Sequence, residues 1–204
     1  MSTGSAPLEF VPTLAPEEAA RANFYGLLAR LFQAPPDRAL LEALASADAM
    51  AAETGAIATA WRELSRTAAE ADPQAVREEY DAAFIGTGKA PVTLYAGAYS
   101  IRFTNETPLA ELRGELARMG LGRRVETSEP EDHIAALCEV MRYLISEEKA
   151  GLPVQQRFFS RWIWPNAEPL CDAISESPMT AFYRSVARLA KSFFELEKSA
   201  FEML

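Results

Sequence analysis

Apolar residues recur along almost the whole chain at intervals of three and four, and no run of five or six positions keeps a sustained period of two. That spacing lines one side of a helix, so the pattern predicts an all-α fold, a single-domain helical bundle of about eight helices with a long central loop. The first helix is expected from Pro16, with Glu17 and Glu18 in its electropositive first turn and Phe24, Leu27, Leu28 and Leu31 on one stripe, ending at "APPD". Asp37 is positioned to cap a short second helix reaching Leu44, and a third is expected over 48–69 with Ile57, Trp61 and Leu64 inward. In "ADPQ", Asp72 takes an N-cap and Pro73 the first helical position of a fourth helix carrying Val76, Tyr80 and Phe84.

Periodicity then lapses over 86–106, "GTGKAPVTLYAGAYSIRFTNE". Irregular loops of that length are uncommon in compact domains unless they carry function, so this stretch is the expected binding surface. A fifth helix is expected over 107–119 with Pro108 near its start, followed by the polar connection "GLGRRVETS", whose Arg123 and Arg124 read as solvated. The stretch "TSEPEDHIAALCEVMRYL", 127–144, opens a sixth helix reaching about residue 150. Ser128 followed three residues on by Glu131 forms a capping box, and Pro130 sits where a missing N–H costs nothing. Ile134, Leu137, Cys138, Met141, Leu144 and Ile145 make a buried stripe; His133, the single histidine, falls on its edge beside Glu129 and is expected half-buried at a rim. "GLP" separates a seventh helix, broken near Pro165, in which "RFFSRWIW" reads as core with a snorkelling arginine. Ser177 caps and Pro178 opens a long eighth helix with Phe182, Val186, Leu189, Phe193 and Phe201 inward.

Composition narrows the function classes. With 204 residues and 49% hydrophobic side chains the chain can bury its own core, and the expectation is one domain over 16–204 after a flexible tail at 1–15. Cys138 and Cys171 lie in apolar helical stretches rather than at C-x-x-C spacing, as buried free thiols of a reducing compartment do. The first residues carry no basic and apolar leader pattern, and no run approaches the roughly 18 apolar residues of a membrane span. A cytoplasmic protein with no stable membrane insertion is expected. The net charge of −9 repels a phosphate backbone, which argues against nucleic acid, and attracts a basic peptide.

Catalytic readings lack parts. A di-iron bundle needs two E-x-x-H pairs, which one histidine cannot supply, and neither a metal nor any other cofactor is expected. "GTGKAP" departs from a phosphate loop at Ala83 and Ala90. Spacing alone leaves His133 open between a capping and rim-packing cluster, a binding-site group and the general base of a helical enzyme with no identified nucleophile.

"EPEDHIAALCEVMRYL" resembles the E-P-x-D-H signature of the TorD/DmsD family of redox-enzyme maturation chaperones. "RANFYGLLARLFQAPPD" is similar to the family's opening helix with its Pro-Pro stop, "EEYDAAFIG" to the helix leading into the central loop, "LYAGAYS" to its Y-x-S-x-Y segment, and "AFYRSVARLAKSFFELE" to its closing helix. Gly97 stands where that segment usually has serine, Trp162 where many members have histidine, and Asn166 where they have tryptophan. The resemblance implies a non-catalytic cytoplasmic chaperone for a molybdenum enzyme of the dimethyl-sulfoxide-reductase type. It would bind the twin-arginine leader and the apo catalytic subunit, assist cofactor insertion and block premature export. On that reading Glu129, Asp132 and His133 supply polar contacts, Tyr95 and Tyr99 supply aromatic walls, and Ser128 and Glu131 mainly cap the helix. A helical assembly module without leader recognition is the alternative from another class. Long helices on flexible connections leave both a monomer and a domain-swapped dimer open.

Overall fold

The structure, a computed structural model, describes residues 14–47, 54–85, 90–100, 108–122, 130–148 and 150–203; Ser128, Glu129, Arg123 and Arg124 lie outside them. Among the described residues every regular element is helical, apart from one isolated antiparallel bridge between Tyr95 and His133. In chain order they are α1 (Pro16–Gln33), α2 (Arg38–Ser46), α3 (Ala56–Glu70), α4 (Pro73–Tyr80), α5 (Gly97–Ser100), α6 (Pro108–Arg118), α7 (Ile134–Ser146), α8 (Leu152–Phe158), α9 (Trp164–Glu176) and α10 (Phe182–Glu202). Two π-helical turns interrupt them, Asp81–Ile85 running on from α4 and Phe159–Ile163 joining α8 to α9.

Local signals account for the first four helices. Asp37 accepts the Leu40 N–H at 2.8 Å and Asp72 the Ala75 N–H at 3.1 Å, each satisfying an orphan donor of a first turn. Helix α3 begins at Ala56, after Gly55 at φ 107°, a left-handed conformation that a side chain would strain. The expected third helix therefore opens later than its apolar period suggests. Helix α1 stops before Pro35-Pro36, where two tyrosines from distant helices take its last carbonyls: Tyr80 Oη donates to Phe32 O at 2.9 Å and Tyr183 Oη to Leu31 O at 3.0 Å.

Helix α10 departs from expectation. Its first residue is Phe182, not Pro178, and the Ser177 hydroxyl oxygen accepts the Met179 N–H in the preceding turn. The Glu79 carboxylate, reaching across from α4, takes the Phe182 and Tyr183 N–H groups at 3.0 and 2.8 Å. A negative group at a helix N-terminus also meets the positive end of its dipole.

The core is one continuous cluster. Helix α1 packs along α7, bringing Tyr25, Leu28 and Phe32 into a core shared with Leu137, Cys138, Met141 and Leu144, while α10 lies against both α3 and α9. Both cysteines are free and buried; burial pushes both thiols up, Cys171 to about 12. Inside this apolar mass sits one charged tie. Glu197 of α10, 2% exposed, receives Arg21 of α1 in a bidentate pair at 2.7 and 2.8 Å and the Tyr25 hydroxyl at 2.9 Å. Arg21 also donates to Gln155 Oε1 at 2.9 Å, drawing α8 into the same network.

Removing one partner of such a pair strands a buried charge. Arg21→Met is expected to lower unfolding free energy by about 3–5 kcal/mol, and Arg21→Met with Glu197→Met to recover most of that loss. Urea unfolding of the three proteins at neutral pH measures both values; equal loss in single and double variants would contradict the account.

Candidate functional site

The mid-chain segment and the start of α7 are held together by backbone. Ala96 N–H donates to Asp132 O at 2.9 Å and Ile134 N–H to Leu94 O at 2.9 Å, the second being the first amide of α7. The next amide, of Ala135, is taken by His133 Nδ1 at 3.2 Å, so His133 is the N-cap of α7. The expected Ser128 cap lies outside the described residues. Glu131, assigned to capping in the sequence, forms an ion pair with Arg113 of α6 at 2.9 Å. His133 is buried, 6% exposed, rather than half-buried at a rim, and the Tyr95 ring meets it edge to face with centroids 5.2 Å apart. Of the expected contact residues, Asp132, His133 and Tyr95 thus come together; Tyr99 sits one helical turn along in α5, its hydroxyl donating to Thr93 O at 2.9 Å. Burial pushes the Tyr99 phenol up to about 12.

Gly97 is required where it stands. Its N–H donates to Asp132 Oδ2 at 3.1 Å, and a Cβ there would lie 2.7 Å from the same oxygen. The serine usual at this place would push the carboxylate aside, so the hydroxyl is replaced by direct backbone contact.

Asp132 and Gly97 line a cleft of about 290 Å³. Glu111 and Leu112 of α6 line it too, as do Arg161, Trp162 and Asn166 around the second π-helical turn. That turn follows from Pro165, which has no N–H: the Trp164 N–H bonds five residues back to Phe159 O, and the widened backbone carries Arg161 and Trp162 to the cleft. Arg161 pairs with Glu111 at 2.7 Å and lies over the Trp162 ring at 4.8 Å. Trp162 Nε1–H donates to Glu115 Oε2 at 2.8 Å. Asn166, 3% exposed, donates from Nδ2 to Trp162 O at 2.9 Å, which fixes the amide orientation; its Oδ1 is buried and has no hydrogen-bond partner among the described residues. Sequence reasoning missed Glu111 and Glu115 and read Arg161 as a snorkelling side chain. The available signal was that Trp162 and Asn166 depart from the family pattern.

A larger hollow of about 530 Å³ lies between α3 and α10, but it is more open and its charges are matched, Arg188 with Glu63 and Lys191 with Asp172 at 2.9 Å. The smaller cleft has the better claim, since it adjoins the bridge and holds an unmatched buried acceptor. No group of three or more His, Cys, Asp or Glu able to hold a metal ion occurs among the described residues, and no described helix is long and apolar enough to cross a membrane.

The described residues thus form an all-helical fold whose mid-chain segment is pinned by backbone to the start of α7 at Asp132 and Ile134. The sequence profile of the family described as nitrate reductase delta subunit matches residues 48–172, and the chain belongs to that family, as a maturation chaperone of the TorD/DmsD type. The chain is similar to the chaperone protein TorD of Shewanella loihica, 27% identical over 203 residues, covering 91% of this chain and 94% of the relative. Its fold is also that of a solved structure, a putative redox enzyme maturation protein from Archaeoglobus fulgidus, with a TM-score of 0.56 at 20% identity, covering 94% of this chain and 99% of that one.

Two expectations follow from this geometry. His133→Ala should lower stability by about 0.5–2 kcal/mol through the lost cap, and His133→Asn, which can still accept the Ala135 N–H, by less; thermal melts distinguish them. Tyr99 stabilises the fold as a neutral phenol. Its folded value of about 12 exceeds the ordinary 10, so its contribution is complete below pH 10 and lost as pH rises from 10 to 12. In urea titrations Tyr99→Phe should lose less stability than the parent over that interval.

Proposed function

We propose that this chaperone binds the twin-arginine leader and the apo catalytic subunit of a molybdenum enzyme of the dimethyl-sulfoxide-reductase type, in the cytoplasm, holding the subunit until its molybdenum cofactor is inserted and so delaying export. The observation that carries the reading is Asp132, a half-buried carboxylate lining a cleft beside the aromatic pair Tyr95 and His133. A guanidinium group matches a carboxylate in geometry and charge, and such charge-assisted bonds are the stronger kind. Asp132 takes the arginine contact, with Glu129 adding negative charge at the same helix start. Tyr95 and Tyr99 form the wall along which the apolar part of a leader lies. His133 acts through its position, because its Nδ1 already holds the helix. The net charge of −9 favours encounter with a basic peptide. Membership of the nitrate reductase delta subunit family and similarity to a TorD chaperone support the same reading.

The test is calorimetric titration with a synthetic peptide of two consecutive arginines followed by a Leu/Ala segment. Asp132→Asn keeps an oxygen for the Gly97 N–H but removes the charge, and should weaken binding at least tenfold, about 1.4 kcal/mol, with helical circular dichroism unchanged. Affinity should also fall as salt rises. Unchanged affinity in the Asn variant would remove Asp132 from the site, and absence of binding to the parent protein would overturn the leader reading.

A further inference from the structure

The cleft that Asp132 lines also contains an arginine that is not a ligand but is bound like one. The Arg161 guanidinium has a carboxylate at its edge, Glu111 Oε2 at 2.7 Å, a second carboxylate oxygen, Glu115 Oε2, at 4.0 Å from Nε, and an indole face beneath it at 4.8 Å. Planar cations are recognised by this combination: carboxylate oxygens in the plane and an aromatic ring below. The Glu115 oxygen is itself held, since it accepts the Trp162 indole N–H at 2.8 Å while the residue is 7% exposed. Glu115, Trp162 and Asn166 are thus buried, whereas Glu111 is about half exposed, as is Arg161, and the two meet at the rim.

Arg161 does not satisfy everything there. Asn166, nearly fully buried and lining the same cleft, has its Nδ2 committed to the Trp162 carbonyl and its Oδ1 without a partner among the described residues. A buried acceptor left unbonded costs about 1–3 kcal/mol, so a donor that reached it would be favoured by that amount. A guanidinium has five N–H donors, enough to serve Glu111 and the amide oxygen together if it enters deeper than a side chain tethered at the rim can.

We propose that Glu111, Glu115, Trp162 and Asn166 form an arginine-binding subsite, occupied in the free protein by Arg161 and taken over by a guanidinium of the bound peptide. Arg161 is thus an internal competitor. A tethered occupant lowers the apparent affinity of any incoming arginine by the fraction of time the seat is open, and so raises the threshold that a partner must meet. Asn166 sets the choice of cation: its oxygen rewards a group that can donate to several acceptors in one plane, which a guanidinium does and an ammonium on a flexible stem does less well. That the incoming arginine belongs to an export leader rests on the function proposed above; the subsite itself does not. On that reading Asp132 and this group, which line the same cleft, would each receive one of two consecutive arginines.

The experiment reads the Trp162 indole N–H by NMR, its signal identified by loss in Trp162→Phe, during titration with arginine amide and, separately, lysine amide. Arg161→Gln should bind arginine amide at least about tenfold more tightly than the parent, with a saturable shift of that signal and little response to lysine amide. Adding Asn166→Leu to Arg161→Gln should cancel most of the gain. No improvement in Arg161→Gln, or an equal response to lysine, overturns the proposal. The di-arginine peptide then separates the two readings. Binding to the parent with no gain and no Trp162 shift in Arg161→Gln overturns the subsite and leaves leader recognition standing. Tight arginine amide binding in Arg161→Gln with no peptide binding by either protein leaves the subsite and overturns the leader.

Discussion

Two backbone hydrogen bonds, from Ala96 to Asp132 and from Ile134 to Leu94, hold the mid-chain segment against the start of α7. Each joins the irregular mid-chain segment to the beginning of α7. A helix start needs partners for its first amides, and here one partner is a carbonyl from a segment with little regular structure of its own. The exchange orders both sides: α7 gains an acceptor, and the segment is placed so that Gly97 touches the Asp132 carboxylate and Tyr95 packs on His133. Neither the acidic group nor the aromatic wall would have a defined position without that bridge.

The rest of the fold supports this arrangement by the same device at longer range. Glu79 of α4 holds the first amides of α10, Tyr80 and Tyr183 close the carboxyl end of α1, and the Arg21–Glu197 pair fastens α1 to α10 within the apolar core. Each contact satisfies a polar group that burial would otherwise penalise. They also make the packing specific, since an apolar stripe alone tolerates sliding whereas a bidentate ion pair and a two-amide cap do not. Helix α7, packed along α1, inherits that rigidity, and the cleft is formed where it meets α6 and the π-helical turn.

That turn connects backbone chemistry to recognition. Pro165 cannot donate, so the helix widens before it, and the widening turns Arg161 and Trp162 toward Glu111 and Glu115. Asn166 mends the carbonyl of Trp162 with one end of its amide and leaves the other end buried. A defect in helical hydrogen bonding thereby places Arg161, Trp162 and a buried amide oxygen in the cleft that Asp132 also lines.

What was legible in the sequence was what short-range physics controls. The apolar period established helices, and the Asp37 and Asp72 caps lie within three residues of the amides they serve, so they could be read directly. The resemblance carried by 129–144 and by the opening and closing helices identified the family, because a motif survives as a string whatever its contacts. The starts of α7 and α10 were misplaced for the opposite reason. Ser128 with Glu131 and Ser177 with Pro178 are valid local signals, but Leu94 and Glu79 hold the observed first turns from far along the chain. Likewise, no spacing rule places Glu111 beside Arg161 or leaves Asn166 Oδ1 unbonded. Those relations arise only when α6 packs near the π-helical turn, so the helices belong to the sequence and the cleft to the tertiary structure.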